Sequence, residues 1–432
     1  MSRINLLAIS AVLALALPSA AFAEQVAIIN ARILSSGAAG DIASGTVIFD
    51  QGRITAVGAG VAAPAGARVI DAKGRTLTPG LVATETNLGL NEISSVTPAN
   101  DSRGGGRTIS AAFDVTAGLN PASSNIPVAR KGGVAYAVAT PSYSSGNASR
   151  EQPFAGQAAM ISLDGAAAPM AGRIAMVLDF GEDGAARSGG ARGSELALVN
   201  SYFDDVLTFR RNRAAFERGE SRDFALSHVD MEALSPVLAG EQPLLVGVSR
   251  ASDIRLILAL AKERKLKIIL TGAEEGWMVA KEIAAAGVPV ILNPTSNLPT
   301  RFETLNATLK NAALLHDAGV RIAFTGNDET FRVRELRYNA GIAVAHGLPY
   351  QAALDAITVN PASIFGLEDR IGSIAPGKVA SMVLWSGDPL EPSSEAELMF
   401  INGEEQALDQ NRPALLRDKY LRTEQSQGEP GQ

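Results

Sequence analysis

Apolar and polar positions alternate along this chain in two distinct rhythms. In the second half, short apolar runs at 244–246, 267–270, 288–292 and 321–324 read as strands. Between and after them lie stretches with apolar residues every three or four positions, which predict helices over 253–264, 273–286, 309–317, 333–346 and 350–357. Ser252 stands where an N-cap belongs, and Gly287 and Gly319 stand where helices stop. The strands turn polar at their last residues, at Ser249, Thr271, Asn293, Asn327 and Asp328. This strand–helix alternation predicts parallel βα units. The expected fold class is α/β: a (β/α)8 TIM-like barrel with its working end at the C-terminal face of the strands. A doubly wound open sheet is the alternative. No G-x-G-x-x-G follows a strand, so dinucleotide binding lacks support.

The ends of the chain follow the other rhythm. Short β-type runs at 26–29, 46–49, 54–57 and 68–71 are separated by glycine-rich turns, and β character returns at 380–385 and 398–402. Chain ends often meet, so these strands are expected to pair. The predicted organisation is residues 24–79 plus 370–421 as a small composite β-sandwich formed by the N- and C-terminal segments. The barrel then spans 80–369, and 422–432 form a disordered polar tail. Segments 95–108, 141–156 and 181–194 are weakly patterned and read as loops. The last reads as a lid or interaction loop, or as a tolerated insertion.

Composition narrows the partners. The chain has 432 residues, 46% of them hydrophobic, and a net charge of −7 without a basic block, which argues against nucleic acid or an anionic membrane surface. Arg3, the apolar run 6–17 and Ala21-Phe22-Ala23 read as a secretory signal peptide over 1–23, with a mature start at Glu24. That run is shorter than the roughly 20 residues needed to span a bilayer. No later segment reads as a membrane span, and there are no cysteines. The expectation is a soluble periplasmic protein, with no membrane association after cleavage.

Candidate chemistry begins at 78-TPGLVATETNLGL-90. This stretch resembles the first barrel strand of the amidohydrolase superfamily, and 358-TVNPASIFGLEDRIGSIAPGKVASMVLWSGDPL-390 resembles that superfamily's exit segment. The opening 27-AIINARIL-34 and 53-RITAVG-58 are similar to its N-terminal sandwich. Segments 243–254, 274–292 and 343–358 resemble its imidazolonepropionase-like branch, including exported bacterial members. The resemblance implies hydrolysis of non-peptide C–N bonds. It also implies a divalent ion held by two first-strand His, a fourth-strand carboxylated Lys or acid, and fifth- and sixth-strand His, with an eighth-strand Asp as base and ligand. Such an ion lowers the pKa of bound water, to about 7 for zinc.

Carried over by position, the ligand set is missing. Glu85 and Asn87 stand at the first-strand His pair, Gly247 near the fifth-strand His, Thr271 at the sixth, and Asn327 at the Asp, with Asp328 next to it. The chain holds three His in all, and the intact site asks for four. His228 falls in a polar connection, His316 in a helix and His346 at a helix end, and there is no Lys between Gly132 and Ala261. No metal and no other cofactor is therefore expected. Glu85 and Asn87, two apart on a strand, should share the barrel interior. With Ser249, Thr271, Asn327 and Asp328 they are expected to ring the mouth. Glu85 and Asp328 are the candidate catalytic carboxylates, and Asn87, Ser249, Thr271 and Asn327 the candidate binding groups for a small polar ligand or substrate. Three readings stay open: hydrolysis by a carboxylate, ligand binding without turnover, and a subunit role, as a homo-oligomer or paired with an intact amidohydrolase.

Overall fold

A computed structural model describes residues 25–103, 109–143, 153–296, 298–326 and 330–408. The N-terminal strands β1 (Val26–Leu34), β2 (Asp41–Asp50), β3 (Arg53–Gly58), β4 (Arg68–Asp71) and β5 (Thr76–Pro79) belong to one mixed sheet. β1 is its hub: β2 runs antiparallel along one edge, while β4 and β5 pair in parallel with successive halves of the other. Val26, Ile28 and Ile33 of β1 give the sheet a buried face of its own with Phe49, Ile54 and Leu77.

The second sheet is the barrel. Its strands are β6 (Leu81–Thr86), β7 (Val134–Ala139), β8 (Phe154–Ser162), β9 (Ala171–Asp179), β10 (Leu244–Val248), β11 (Ile268–Gly272), β12 (Val290–Leu292) and β13 (Ile322–Phe324), side by side in chain order. A parallel bridge between Thr84 and Thr325 joins the last strand to the first. The Gly326 amide donates to the Thr84 carbonyl across that seam, at 2.9 Å. The barrel strands are almost wholly apolar because both faces are covered, by the interior and by the helices.

The helices are α1 (Ile126–Lys131), α2 (Glu182–Arg187), α3 (Arg192–Arg211), α4 (Arg213–Glu217), α5 (His228–Leu238), α6 (Ala251–Arg264), α7 (Ala280–Ala285), α8 (Asn311–Asp317), α9 (Leu336–Ala345), α10 (Tyr350–Asp355) and α11 (Val359–Ile364). The chain then returns to the terminal sheet. β14 (Met382–Trp385) pairs antiparallel with β5, followed by β15 (Ala396–Ile401) and β16 (Glu404–Glu405).

Three sequence expectations change. First, the barrel departs from eight βα units: β8 runs antiparallel to both β7 and β9, so β7–β8–β9 is a meander inside an otherwise parallel barrel. The reason is the short connection at 163–170, with Gly165 at positive φ, since a parallel crossover needs a dozen or more residues. Second, 181–194 is not a loop. It contains α2 and the first turn of α3. Third, α6 starts at Ala251 rather than after a Ser252 cap. Its Ala251 amide donates to Glu275 Oε2 at 3.1 Å, which places the Glu275 carboxylate at the start of α6. Among the described residues no helix is long and apolar enough to cross a membrane.

Candidate active site at the barrel mouth

Register alone defines a row of residues at the C-terminal end of the barrel. Asp179 of β9 pairs with Gly247 of β10, and Gly247 pairs with Thr271 of β11. Paired residues on neighbouring strands point to the same side of a sheet. Thr271 Oγ1 donates a hydrogen bond to Glu85 Oε2 on β6, which is not a neighbour of β11. That bond spans the interior, so the whole row faces inward.

Glu85 reaches this position through an irregular backbone. It has φ of +49°, in the left-handed region that penalises a side chain, and the β6–β7 register slips between Ala83 and Thr86. This corrects the expectation that Glu85 and Asn87 share a face by simple alternation: the bulge breaks the period of two. Asn87 lies just beyond the strand, half-buried, and its carbonyl accepts from the Leu90 and Asn91 amides. Ser249 is half-buried after β10, with its carbonyl accepting from the Glu275 amide. Asn327 and Asp328 lie outside the described residues. Of the candidate residues, then, Glu85 and Thr271 are brought into direct contact.

The largest feature of the mouth was not singled out from the sequence. Asp179 Oδ2 accepts from Arg187 Nη1 at 2.5 Å, and the Arg187 side chain is only 9% exposed. The Arg187 guanidinium carbon sits 3.6 Å from the centre of the Tyr143 ring, a cation–π stack, and the Tyr143 hydroxyl donates to the Pro153 carbonyl at 2.5 Å. Burial pushes the Asp179 carboxyl above its usual range, while Arg187 pulls it down. The short contact to a permanently charged guanidinium identifies a charged pair. Gly247 makes room for it: a Cβ there would stand 3.0 Å from Asp179 Oδ1.

Beneath this pair lies Glu195, fully buried on α3. Its Oε2 accepts from the Gly181 amide at 3.3 Å, and its Oε1 has no hydrogen-bond partner. Burial pushes the Glu195 carboxyl up to about 8, so at neutral pH it is mostly protonated. Gly184 permits its approach, since a Cβ there would collide with Glu195 Oε1 and the Asp179 carbonyl. Ion pairs fix α2 and α3 over the strand ends. Arg192 bridges Asp253 (2.5 Å) and Glu303 (3.1 Å), Arg250 adds a second contact to Asp253 (3.0 Å), and Arg301 joins Glu303 (3.2 Å) to Asp183.

The residues present do not fit a histidine-held divalent ion. Gly247 offers no donor, Thr271 is bonded to Glu85, and Asp179 is paired with Arg187. Among the described residues no three His, Cys, Asp or Glu side chains converge on one point. The three His sit on helices. His228 opens α5 against the Phe216 ring rather than lying in a connection, His316 is in the last turn of α8, and His346 caps α9. A signal for Asp179 was present: an apolar strand ending in an acid, at the fourth-strand position where the resemblance implies one.

Barrel, terminal sheet and inward-facing strand ends together define an amidohydrolase-type, TIM-barrel-like fold. Residues 253–407 match the profile described as Amidohydrolase family, so the chain carries an amidohydrolase-family domain over that stretch. A solved amidohydrolase from Thermotoga maritima MSB8 superposes with a TM-score of 0.78 at 25% identity, over 88% of this chain and 99% of that one. Amidohydrolase tasK of Hapsidospora irregularis is 23% identical over 411 residues, which is 88% of this chain but 41% of tasK. A 5-methylthioadenosine/S-adenosylhomocysteine deaminase of Desulforudis audaxviator is 35% identical over 115 residues, 24% of this chain and 26% of the deaminase. The chain thus spans well under two thirds of the length of these two curated relatives.

Proposed function

We propose that this protein hydrolyses a C–N bond in a small polar molecule, such as a cyclic amide, at the barrel mouth and without a histidine-held metal. The observation that carries this reading is the Glu85–Thr271 contact across the mouth. It places a carboxylate in a strained left-handed backbone conformation at the C-terminal face, where barrels of this type carry their chemistry. In this reading Glu85 takes a proton from water as the water attacks the carbonyl carbon, and the proton passes to the departing nitrogen as the C–N bond breaks. Asp328 is the second candidate carboxylate; Asn87, Ser249, Thr271 and Asn327 orient the substrate by hydrogen bonds. The segments 243–254, 274–292 and 343–358 support a place beside the imidazolonepropionase-like branch. We also place the mature chain, from Glu24, in the periplasm, and intact mass of the exported protein tests that cleavage.

The test is turnover of a panel of cyclic amides and dipeptides by the mature protein in excess chelator. We expect chelator-insensitive hydrolysis that Glu85→Gln lowers at least about 100-fold. One tightly held zinc per chain, with activity lost in chelator, overturns the reading.

A second reading is favoured by the rim. Leu298, Phe302 and Leu305 follow β12 and are 67%, 83% and 58% exposed, an apolar surface of the kind that meets another protein. In this reading the chain is a non-catalytic subunit of an intact amidohydrolase. Absence of turnover, with co-purification of such a relative that Phe302→Glu abolishes, selects it. A monomer at all concentrations counts against it.

A further inference from the structure

We infer that Arg187 is the resident cation of the barrel mouth, held by Asp179 and Tyr143 in the space that Gly247 leaves open, and that this pair excludes a divalent ion from the fourth- and fifth-strand positions. The inference shares its site with the proposed hydrolysis but does not need turnover.

Three observations converge. The register row makes Asp179 an inward-facing carboxylate at the end of β9, a position suited to holding a positive charge in the mouth. That charge is already present. Arg187 meets Asp179 at 2.5 Å, with its guanidinium packed 3.6 Å from the Tyr143 ring centre and only 9% of its side chain exposed. A planar guanidinium donates along fixed directions, stacks on an aromatic face and keeps its proton, so it fills this place more completely than an ammonium, which supplies the charge alone. The space is then spoken for on the β10 side, because a Cβ at 247 would come within 3.0 Å of Asp179 Oδ1. A larger donor at 247 and the present Asp179–Arg187 geometry therefore exclude one another. The cation is tethered to α2, so it is indifferent to chelators and to metal supply.

The test combines cobalt(II) titration with thermal unfolding of the mature chain and of Arg187→Met, Arg187→Lys, Gly247→Ala and Arg187→Met/Gly247→Ala. For the wild type we expect no visible cobalt absorption band and no change in Tm with cobalt or chelator. Arg187→Met should lower Tm by about 5 °C or more, and Arg187→Lys by less, because it keeps the charge. Gly247→Ala should lower Tm in the wild type but by much less in the Arg187→Met background, since the added methyl then has room. One cobalt per wild-type chain with a raised Tm overturns the inference. So does an Arg187→Lys no better than Arg187→Met, or a pair of Tm losses that simply add. If Arg187→Met does not fold, Arg187→Lys and Gly247→Ala are combined in its place, with the same expected non-additivity. None of these readouts depends on catalysis, so failure of the hydrolysis reading leaves them interpretable.

Discussion

Two carboxylates face the barrel mouth from different walls, and they are held in opposite ways. Asp179 ends a regular strand, and its charge is matched by a guanidinium beside it. Glu85 sits on a bulge at positive φ, and its carboxylate is met by the hydroxyl of Thr271. The first arrangement satisfies a charge and locks α2 in place. The second maintains a strained backbone and holds the carboxylate against a strand on the far wall of the barrel. Proteins keep strain where function requires a geometry, and satisfy charges where stability does. In the reading proposed above, Asp179 is the structural carboxylate and Glu85 the chemical one.

The largest stability effect should come from the Asp179 side. Asp179→Leu removes the carboxylate that Arg187 meets at 2.5 Å in a side chain only 9% exposed, and should cost about 3 kcal/mol in urea unfolding. The joint Asp179→Leu/Arg187→Met change should recover most of that loss. A single variant as stable as the wild type would remove the distinction.

Next in size is the pH response of Glu195. Its carboxyl is held up to about 8 in the folded chain, so between the ordinary carboxylate pKa and about 8 the folded state keeps a proton that the unfolded state has lost. Stability from this group is therefore greatest at low pH and falls as pH rises through that window. Glu195→Gln is neutral throughout. Its stability should be flatter from pH 5 to 8, with an advantage of about 2 kcal/mol over the wild type near pH 9, read from unfolding curves at each pH.

Glu85 should show the reverse balance. Glu85→Asn places a residue that tolerates the left-handed region and gives up the Thr271 contact, so stability should change by about 1 kcal/mol. Turnover of the substrate panel should nevertheless fall by at least about 100-fold. A variant that loses stability but keeps turnover would exchange the roles of the two carboxylates. The smallest effect is expected far from the mouth. Arg213 pairs with Glu217 and Glu232 on the surface, and Arg213→Ala should cost less than about 0.5 kcal/mol.

Much of the barrel was legible because buried parallel strands leave continuous apolar runs. β12 and β13 fall within such runs, β10 and β11 overlap them and run two residues further, and each is followed by a helix. The β8 reversal was not legible, because Phe154–Ser162 is also apolar and carries no mark of direction. The segment 181–194 read as a loop because glycine, alanine and serine weaken its helical pattern. It is helical because Arg192, Asp253, Glu303 and Arg301 tie it to other elements. At the mouth, Glu85 and Thr271 were found by their places at strand ends. Arg187 was missed because its partner lies across a turn whose path the sequence does not specify.

The sequence by itself determined the amidohydrolase-type barrel and the total of three histidines, because strand periodicity and residue counts are local or total properties of the chain. Only the tertiary structure decided which side chains meet at the barrel mouth. The Asp179–Arg187 pair, the opening at Gly247 and the Glu85–Thr271 contact join residues from different strands and helices. Such contacts depend on barrel closure and register, which bring distant residues to the same few ångströms of space.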